Sequence, residues 1–153
     1  MLGQRGIVPP DEKPVFAKGE VIRQPGDGTC LYHTLAYGLN NVKNGGEKVR
    51  REIADFMKAH PDEPFEGSTI KEYIQWDQED PKMTVDAYVA RQGVAGWGGA
   101  LEQAIFARLY NVRLVVWEPF KGQQPKRKTQ TKSKTGIMYK KMSDFYYSAS
   151  PSK

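Results

Sequence analysis

The chain is poor in the residue types that most often carry protein chemistry: its 153 residues hold one cysteine and two histidines. A single thiol makes no intrachain disulfide, and no Cys/Cys or Cys/His cluster has the spacing of a structural zinc site. Disulfide scaffolds and zinc fingers are thereby excluded, and no metal or other cofactor is expected. Long apolar runs are missing as well. The longest, such as Leu114-Val115-Val116-Trp117, fall far short of the ~20 residues that span a bilayer. The first ten residues lack the apolar stretch of a secretory signal. No membrane association is expected, and a reducing cytoplasmic setting is, for a chain that can equally be a piece of a longer polypeptide.

What is present suits one globular unit. Hydrophobic residues make up 39% and charged residues 27% of the chain, and three Trp, eight Tyr and six Phe supply large side chains for a single core. Wholesale disorder is excluded. The net charge of +5 is unevenly spread: six basic and no acidic residues fall between positions 121 and 136, which leaves the rest at −1. That basic segment has no hydrophobic residue with which to bury itself, so a solvated loop is expected. No aromatic residue interleaves its cations to stack on bases, so nucleic acid is not the expected partner. A monomeric domain is expected over 20–150, after an N-terminal arm at 1–19 and before a tail at 151–153.

Periodicity predicts helices first and strands last, an α+β arrangement with a small, mainly antiparallel sheet. Leu31, Leu35, Ala36 and Leu39 recur every three to four residues, so Cys30 opens a helix. Val49, Ile53, Phe56 and Met57 mark a second helix that stops near Ala59-His60-Pro61. Ser68 is read as the N-cap of a shorter third helix through Ile70, Tyr73 and Ile74, and Met83, Ala87 and Tyr88 mark a fourth. A Gly-rich approach at 93–99 leads to a fifth with Leu101, Ala104, Ile105 and Leu109, ending near Asn111. The β-branched run 112–117 reads as a buried strand closed by Glu118-Pro119. Ile137-Met138-Tyr139 and Phe145-Tyr146-Tyr147 read as two more strands joined by a turn at 141–144.

Cys30 is the residue with the clearest chemical promise. A cysteine at a helix N-terminus faces the positive end of the helix dipole, which favours thiolate over thiol. The preceding turn Asp27-Gly28-Thr29 can aim backbone N–H groups into one pocket, as an oxyanion hole requires. The bland alternative is that a lone cysteine is a small buried hydrophobe. The string Pro25-Gly26-Asp27-Gly28-Thr29-Cys30-Leu31-Tyr32-His33-Thr34-Leu35 resembles the nucleophile motif of the ovarian tumour (OTU) family of cysteine proteases, an Asp-Gly-Asn-Cys core followed by an apolar helix. Here Thr29 stands in place of Asn. Val49-Arg50 with Ile53 and Phe56 continues the likeness, and Trp97-Gly98-Gly99 with Leu101 and Ala104 looks like the family's Trp-Gly-Gly helix. The resemblance covers about 21–149 and implies a papain-type fold and cleavage of ubiquitin or a ubiquitin-like modifier from lysine.

It also implies a histidine near the C-terminus to polarise the cysteine. In the matching stretch Asp144-Phe145-Tyr146-Tyr147-Ser148, Tyr146 takes that place and Ser148 stands where Asn or Asp orients the ring. A phenol stays protonated at neutral pH and forms no thiolate/imidazolium pair. Losing a positioned base costs ~10²- to 10⁴-fold in rate. His33, one turn after Cys30, is read as structural, and His60 as a C-terminal helix residue facing the dipole. Asp144 in contact with the site would disfavour a thiolate. Trp97 is read as a core aromatic, with its glycine neighbours allowing close backbone approach; Tyr73 and Trp76 are read either as packing or as a surface for a ubiquitin-like partner. The site expected from the resemblance is Cys30, Asp27 and Tyr146 as the catalytic set, with Gly28, Thr29, Trp97 and Gly98 at the oxyanion hole and substrate channel. Three functions follow: an OTU-like module that binds or acts on ubiquitin or a ubiquitin-like modifier but is catalytically impaired by Tyr146; an active isopeptidase with Cys30 as nucleophile; and, ranked last, a carrier for the basic loop.

Overall fold

The computed structural model describes the backbone of residues 4–7, 15–119 and 137–146 and the side chains of 15–119 and 139–146. The basic segment 121–136, Ser148 and the tail 151–153 lie outside the described residues.

The helical half follows from the apolar spacing. Helix α1 (Cys30–Asn40) buries Tyr32, His33, Leu35 and Ala36, and ends where Asn41 turns left-handed (φ 56°) with its N–H donating to the Tyr37 carbonyl at 2.7 Å. Helix α2 (Gly46–Ala59) buries Val49, Ile53, Ala54 and Met57, and packs on α1. A short hairpin, β3 (Pro64–Phe65) and β4 (Ser68–Thr69), leads into helix α3 (Ile70–Asp77). The N-cap of α3 is Thr69, not Ser68. Thr69 Oγ1 accepts from the Glu72 N–H (3.2 Å) while Glu72 Oε2 accepts from the Thr69 N–H (2.9 Å), a reciprocal box that needs Glu three residues on. Ser68, which lacks that partner, donates instead to the Phe65 carbonyl at 3.1 Å. Helices α4 (Val85–Gln92) and α5 (Ala100–Tyr110) both pack on α2, and α5 buries Leu101, Ala104, Ile105, Phe106 and Ala107. Burial of side chains as large as Ile53, Ile70 and Ile105 stabilises by about 1.5–3 kcal/mol each.

The sheet is antiparallel and centred on one long strand, β6 (Ile137–Tyr146). Strand β5 (Leu114–Pro119) pairs along one edge of β6. The other edge is shared by β2 (Phe16–Gly19), opposite 137–140, and β1 (Gln4–Ile7), opposite 143–146. Three expectations change here. Within the segment read as an N-terminal arm, Gln4–Ile7 and Phe16–Gly19 are strands of the sheet. The turn expected at 141–144 is continuous strand with a bulge: Val116 faces Ser143 but Trp117 faces Lys141, which leaves Met142 as the extra residue. Strand β5 is half-buried at 114–116 and exposed at 117–119, and it runs through Glu118-Pro119 instead of stopping there. Phe145 alone among the described β6 side chains is fully buried in the main core, and β6 packs on α5. The result is α+β, helices against a small antiparallel sheet. Among the described residues no helix is long and apolar enough to cross a membrane.

Candidate active site

Cys30 is the first residue of α1 and is partly exposed. The turn before it is tied to Asp27: the Thr29 N–H donates to Asp27 Oδ1 at 2.8 Å and the Cys30 N–H to the Asp27 carbonyl at 3.1 Å. Those two amides, expected to point at a reacting oxygen, are therefore engaged within the loop. Thr29 sits at the N-cap position without capping. Its hydroxyl faces the other way and accepts from Arg50 Nη2 at 3.2 Å.

Arg50 is buried, 3% exposed, on the apolar face of α2. Its Nη2 also donates to the Gly28 carbonyl at 2.5 Å, and its Nη1 donates to the carbonyls of Gln92 (2.5 Å) and Gly96 (3.0 Å). The guanidinium carbon lies 4.3 Å from the Tyr32 ring centre. One side chain thus joins the loop carrying Cys30 to the Gly-rich loop carrying Trp97. The loops also touch directly. A Cβ on Gly28 would lie 3.4 Å from the Ala95 carbonyl, and one on Gly98 would strike the Leu31 side chain and come within 3.2 Å of the Tyr32 hydroxyl. A larger residue at 98 would have to displace the Leu31 side chain.

Trp97 is not a core aromatic. With Gly96 bound through its carbonyl and Gly98 pressed onto α1, the indole between them is turned outward and is 79% exposed. It borders a cleft with Tyr73, Tyr88, Gln92 and Glu102. Trp76 is exposed as well, 5.9 Å from the Tyr73 ring. At the back of the cleft Glu102 is buried; Oε1 accepts from the Tyr88 hydroxyl and Oε2 from the Gly99 N–H, both at 2.6 Å. Burial and this carboxylate push the Tyr88 hydroxyl well above the usual phenol range.

Both nitrogens of His33 are committed. Nδ1 accepts from the Gly46 N–H at 3.0 Å, and Nε2 lies 3.5 Å from Asp27 Oδ2, so the buried ring pins the start of α2 to the Cys30 loop. His60 caps α2 and is exposed against Phe56. The His33 contact sets a sharp steric limit. A Cβ on Gly46 would lie 2.5 Å from the His33 backbone nitrogen and 2.7 Å from Nδ1, whereas one on Gly38 would meet nothing within 4 Å. Gly46→Ala is expected to cost about 2 kcal/mol by overpacking, and Gly38→Ala to gain about 0.5–1 kcal/mol from the helix interior. Urea denaturation of the two variants reads both; equal effects would contradict the packing described.

Tyr146 comes from the other layer. It ends β6 opposite Gln4, partly exposed, on the sheet face it shares with Asp144 and opposite to Phe145. Asp144 is not a loose carboxylate beside the thiol: Arg113 holds it through Nε (2.9 Å) and Nη2, and Lys141 Nζ lies at 3.0 Å. The Arg113 hydrogen bonds, with Lys141 behind them, hold its carboxyl down at about 2. A carboxyl depressed by folding stabilises above its unfolded value of ~3.9 and loses that share as pH falls toward about 2. Asp144→Asn should therefore flatten the acid limb of urea stability between about pH 4 and 2 while leaving its shape near neutrality alone. Added salt should reduce the effect, since Arg113 is mostly exposed.

The structure thus brings Asp27, Gly28, Thr29 and Cys30 together with Trp97 and Gly98, and sets Tyr146 on the sheet. Two residues of the cluster have no role in the sequence reading: Arg50 figures there only in the likeness, and Glu102 not at all. Arg50 lies one residue from Val49 and three from Ile53, a charged side chain on a buried stripe, which is itself the signal. Glu102 stands three residues after the N-cap Gly99, where a carboxylate reaches back to the N-cap amide.

Comparison with known proteins finds distant relatives. The chain is 26% identical over 106 residues to OVARIAN TUMOR DOMAIN-containing deubiquitinating enzyme 2 of Arabidopsis thaliana, covering 66% of this chain and 44% of that protein. It is 27% identical over 128 residues to enzyme 10 of the same series, covering 76% and 32%. A 107-residue stretch is 22% identical to the RNA-directed RNA polymerase L of Crimean-Congo hemorrhagic fever virus, covering 64% of this chain and 2% of that protein. The chain spans less than half the length of these relatives. No protein-family model matches it. The chain is thus similar to OTU-domain deubiquitinating enzymes over about two thirds to three quarters of its length.

Proposed function

We propose that the chain is an OTU-like module with a papain-type fold that engages ubiquitin or a ubiquitin-like modifier and turns it over poorly. The observation that carries this reading is the pairing of two loops: Cys30 at the start of α1, and outward-facing Trp97 held beside it through Arg50. In this reading the modifier's C-terminal segment lies along the Trp97 cleft, Tyr73 and Trp76 add apolar contact area, and Cys30 faces the terminal carbonyl. Tyr146 occupies the base position and donates a hydrogen bond without accepting the thiol proton. Asp27 serves the loop rather than the proton transfer, since its carboxylate is taken up by the Thr29 N–H and His33.

The test is intact-mass detection of labelling by ubiquitin, or a ubiquitin-like modifier, bearing a C-terminal thiol-reactive group. Slow labelling that is absent in Cys30→Ala, with non-covalent binding preserved in that variant, is expected. Failure of every modifier to bind or label overturns the reading. A second reading, an active isopeptidase, is favoured by the partial exposure of Cys30 at its helix terminus. It requires the unsubstituted chain to be labelled fast and to cleave an isopeptide.

A further inference from the structure

A guanidinium is costly to bury, and the cost is offset only when its donors are met. Arg50 meets this condition at both terminal nitrogens and without a countercharge: among the described residues it pairs with no carboxylate, its four hydrogen bonds end on three backbone carbonyls and one hydroxyl, and only Nε is left without a partner. An apolar side chain would fill the same place on α2 more cheaply. The division of those bonds is what distinguishes the site. Nη2 holds Gly28 and Thr29, the two residues before Cys30; Nη1 holds Gln92 and Gly96, the latter the residue before Trp97. The two nitrogens belong to one rigid plane, and that plane rests on the Tyr32 ring, against which Gly98 also packs.

We propose that Arg50 is a positioning residue that fixes Cys30 relative to Trp97, making the two loops one mechanical unit. The inference deepens the reading of Cys30 as the reacting group and rests on it for its functional meaning. The planar fork is what matters. A lysine keeps the charge but has a single nitrogen, which cannot reach both loops in this geometry.

Native-state hydrogen exchange tests it without any modifier. The reporter amides are those of Thr29 and Cys30, bonded to Asp27, and those of Ala95 and Gly96, bonded to the Arg91 carbonyl. In the unsubstituted chain all four should open together, with protection within about threefold of one another. In Arg50→Lys both loops should lose about tenfold in protection while the interiors of α2 and α5 keep theirs. A second readout, taken in the Tyr146→His chain, separates positioning from simple support. Adding Arg50→Lys should slow Cys30 labelling by the ubiquitin electrophile about tenfold and leave alkylation by iodoacetamide within about threefold, since only the templated reaction depends on alignment. Loops that exchange independently in the unsubstituted chain overturn the proposal, as does a loss in Arg50→Lys spread evenly over α2 and α5. Absence of ubiquitin labelling with coupled loop exchange removes the functional reading and leaves the positioning role standing.

Discussion

Tyr146→His is expected to cleave a ubiquitin C-terminal amide about 10²- to 10⁴-fold faster than the unsubstituted chain, and Cys30→Ala in that background to abolish the gain. The size follows from what a phenol lacks. An imidazole takes the thiol proton near neutrality, stabilises the thiolate as an ion pair, and returns the proton to the leaving amine; a phenol at the same place does the first poorly and lacks the positive charge for the second. Substitution here is mechanically safe, because Tyr146 ends β6, is 37% exposed and stays out of the main core, whose nearest member on the strand is Phe145. Asp144 on the same face is held by Arg113 and Lys141, so a new imidazole two residues on faces a neutralised carboxylate. Steady-state hydrolysis of a fluorogenic ubiquitin amide, with melting temperatures as a control for folding, reads the outcome. A folded Tyr146→His chain with no gain sinks the assignment of Tyr146 to the base position. Fast cleavage by the unsubstituted chain sinks the impaired reading and establishes the isopeptidase.

The elements legible in the sequence are those whose signals are local. Helices α1, α2 and α5 begin and end where apolar spacing and the breaks at Ala59 and Asn111 place them, because each carries its own buried stripe and terminator. The N-cap of α3 slipped by one residue between two hydroxyls, Ser68 and Thr69, and only the distance to Glu72 chooses between them. Strands β1 and β2 were not legible. Their partner β6 lies more than a hundred residues away, and short segments gain a pairing edge only when the chain returns. The polar run at 141–144 looks like a turn, yet a bulge at Met142 and the cation pair on Asp144 keep it in the sheet.

The candidate site divides the same way. Asp27 to Cys30 and Trp97-Gly98 are contiguous strings and could be read; the partners of the group that joins them could not, because Arg50 binds backbone carbonyls 22 to 46 residues away and any sequence supplies carbonyls. The outward position of Trp97 is hidden from the sequence for a related reason. Glycines on both sides do permit close approach, but it is the backbone of Gly96 and Gly98 that approaches, and the indole between them is left outside.

The largest stability loss is expected from Glu102→Leu, about 3 kcal/mol in urea denaturation, against about 1 kcal/mol or less for Glu102→Gln. Leucine fills the space but leaves the Tyr88 hydroxyl buried without the Glu102 acceptor and strips the Gly99 N–H at the start of α5 of its carboxylate cap. An amide keeps both contacts: its oxygen accepts from Gly99 while its nitrogen donates to Tyr88, whose hydroxyl can reverse. The carboxylate's further contribution is its charge at the positive end of α5, and that is the part glutamine forfeits. Tyr88→Phe provides the decisive arm. Alone it should cost about 1 kcal/mol by orphaning one carboxylate oxygen, but added to Glu102→Leu it should cost nothing or restore stability, because it removes the stranded hydroxyl. Simple additivity of the two changes would mean that the 2.6 Å contact does not carry the loss. Because Glu102 anchors Gly99 two residues after Trp97, Glu102→Leu should also weaken modifier binding where Glu102→Gln does not, linking the buried carboxylate to the outer edge of the cleft.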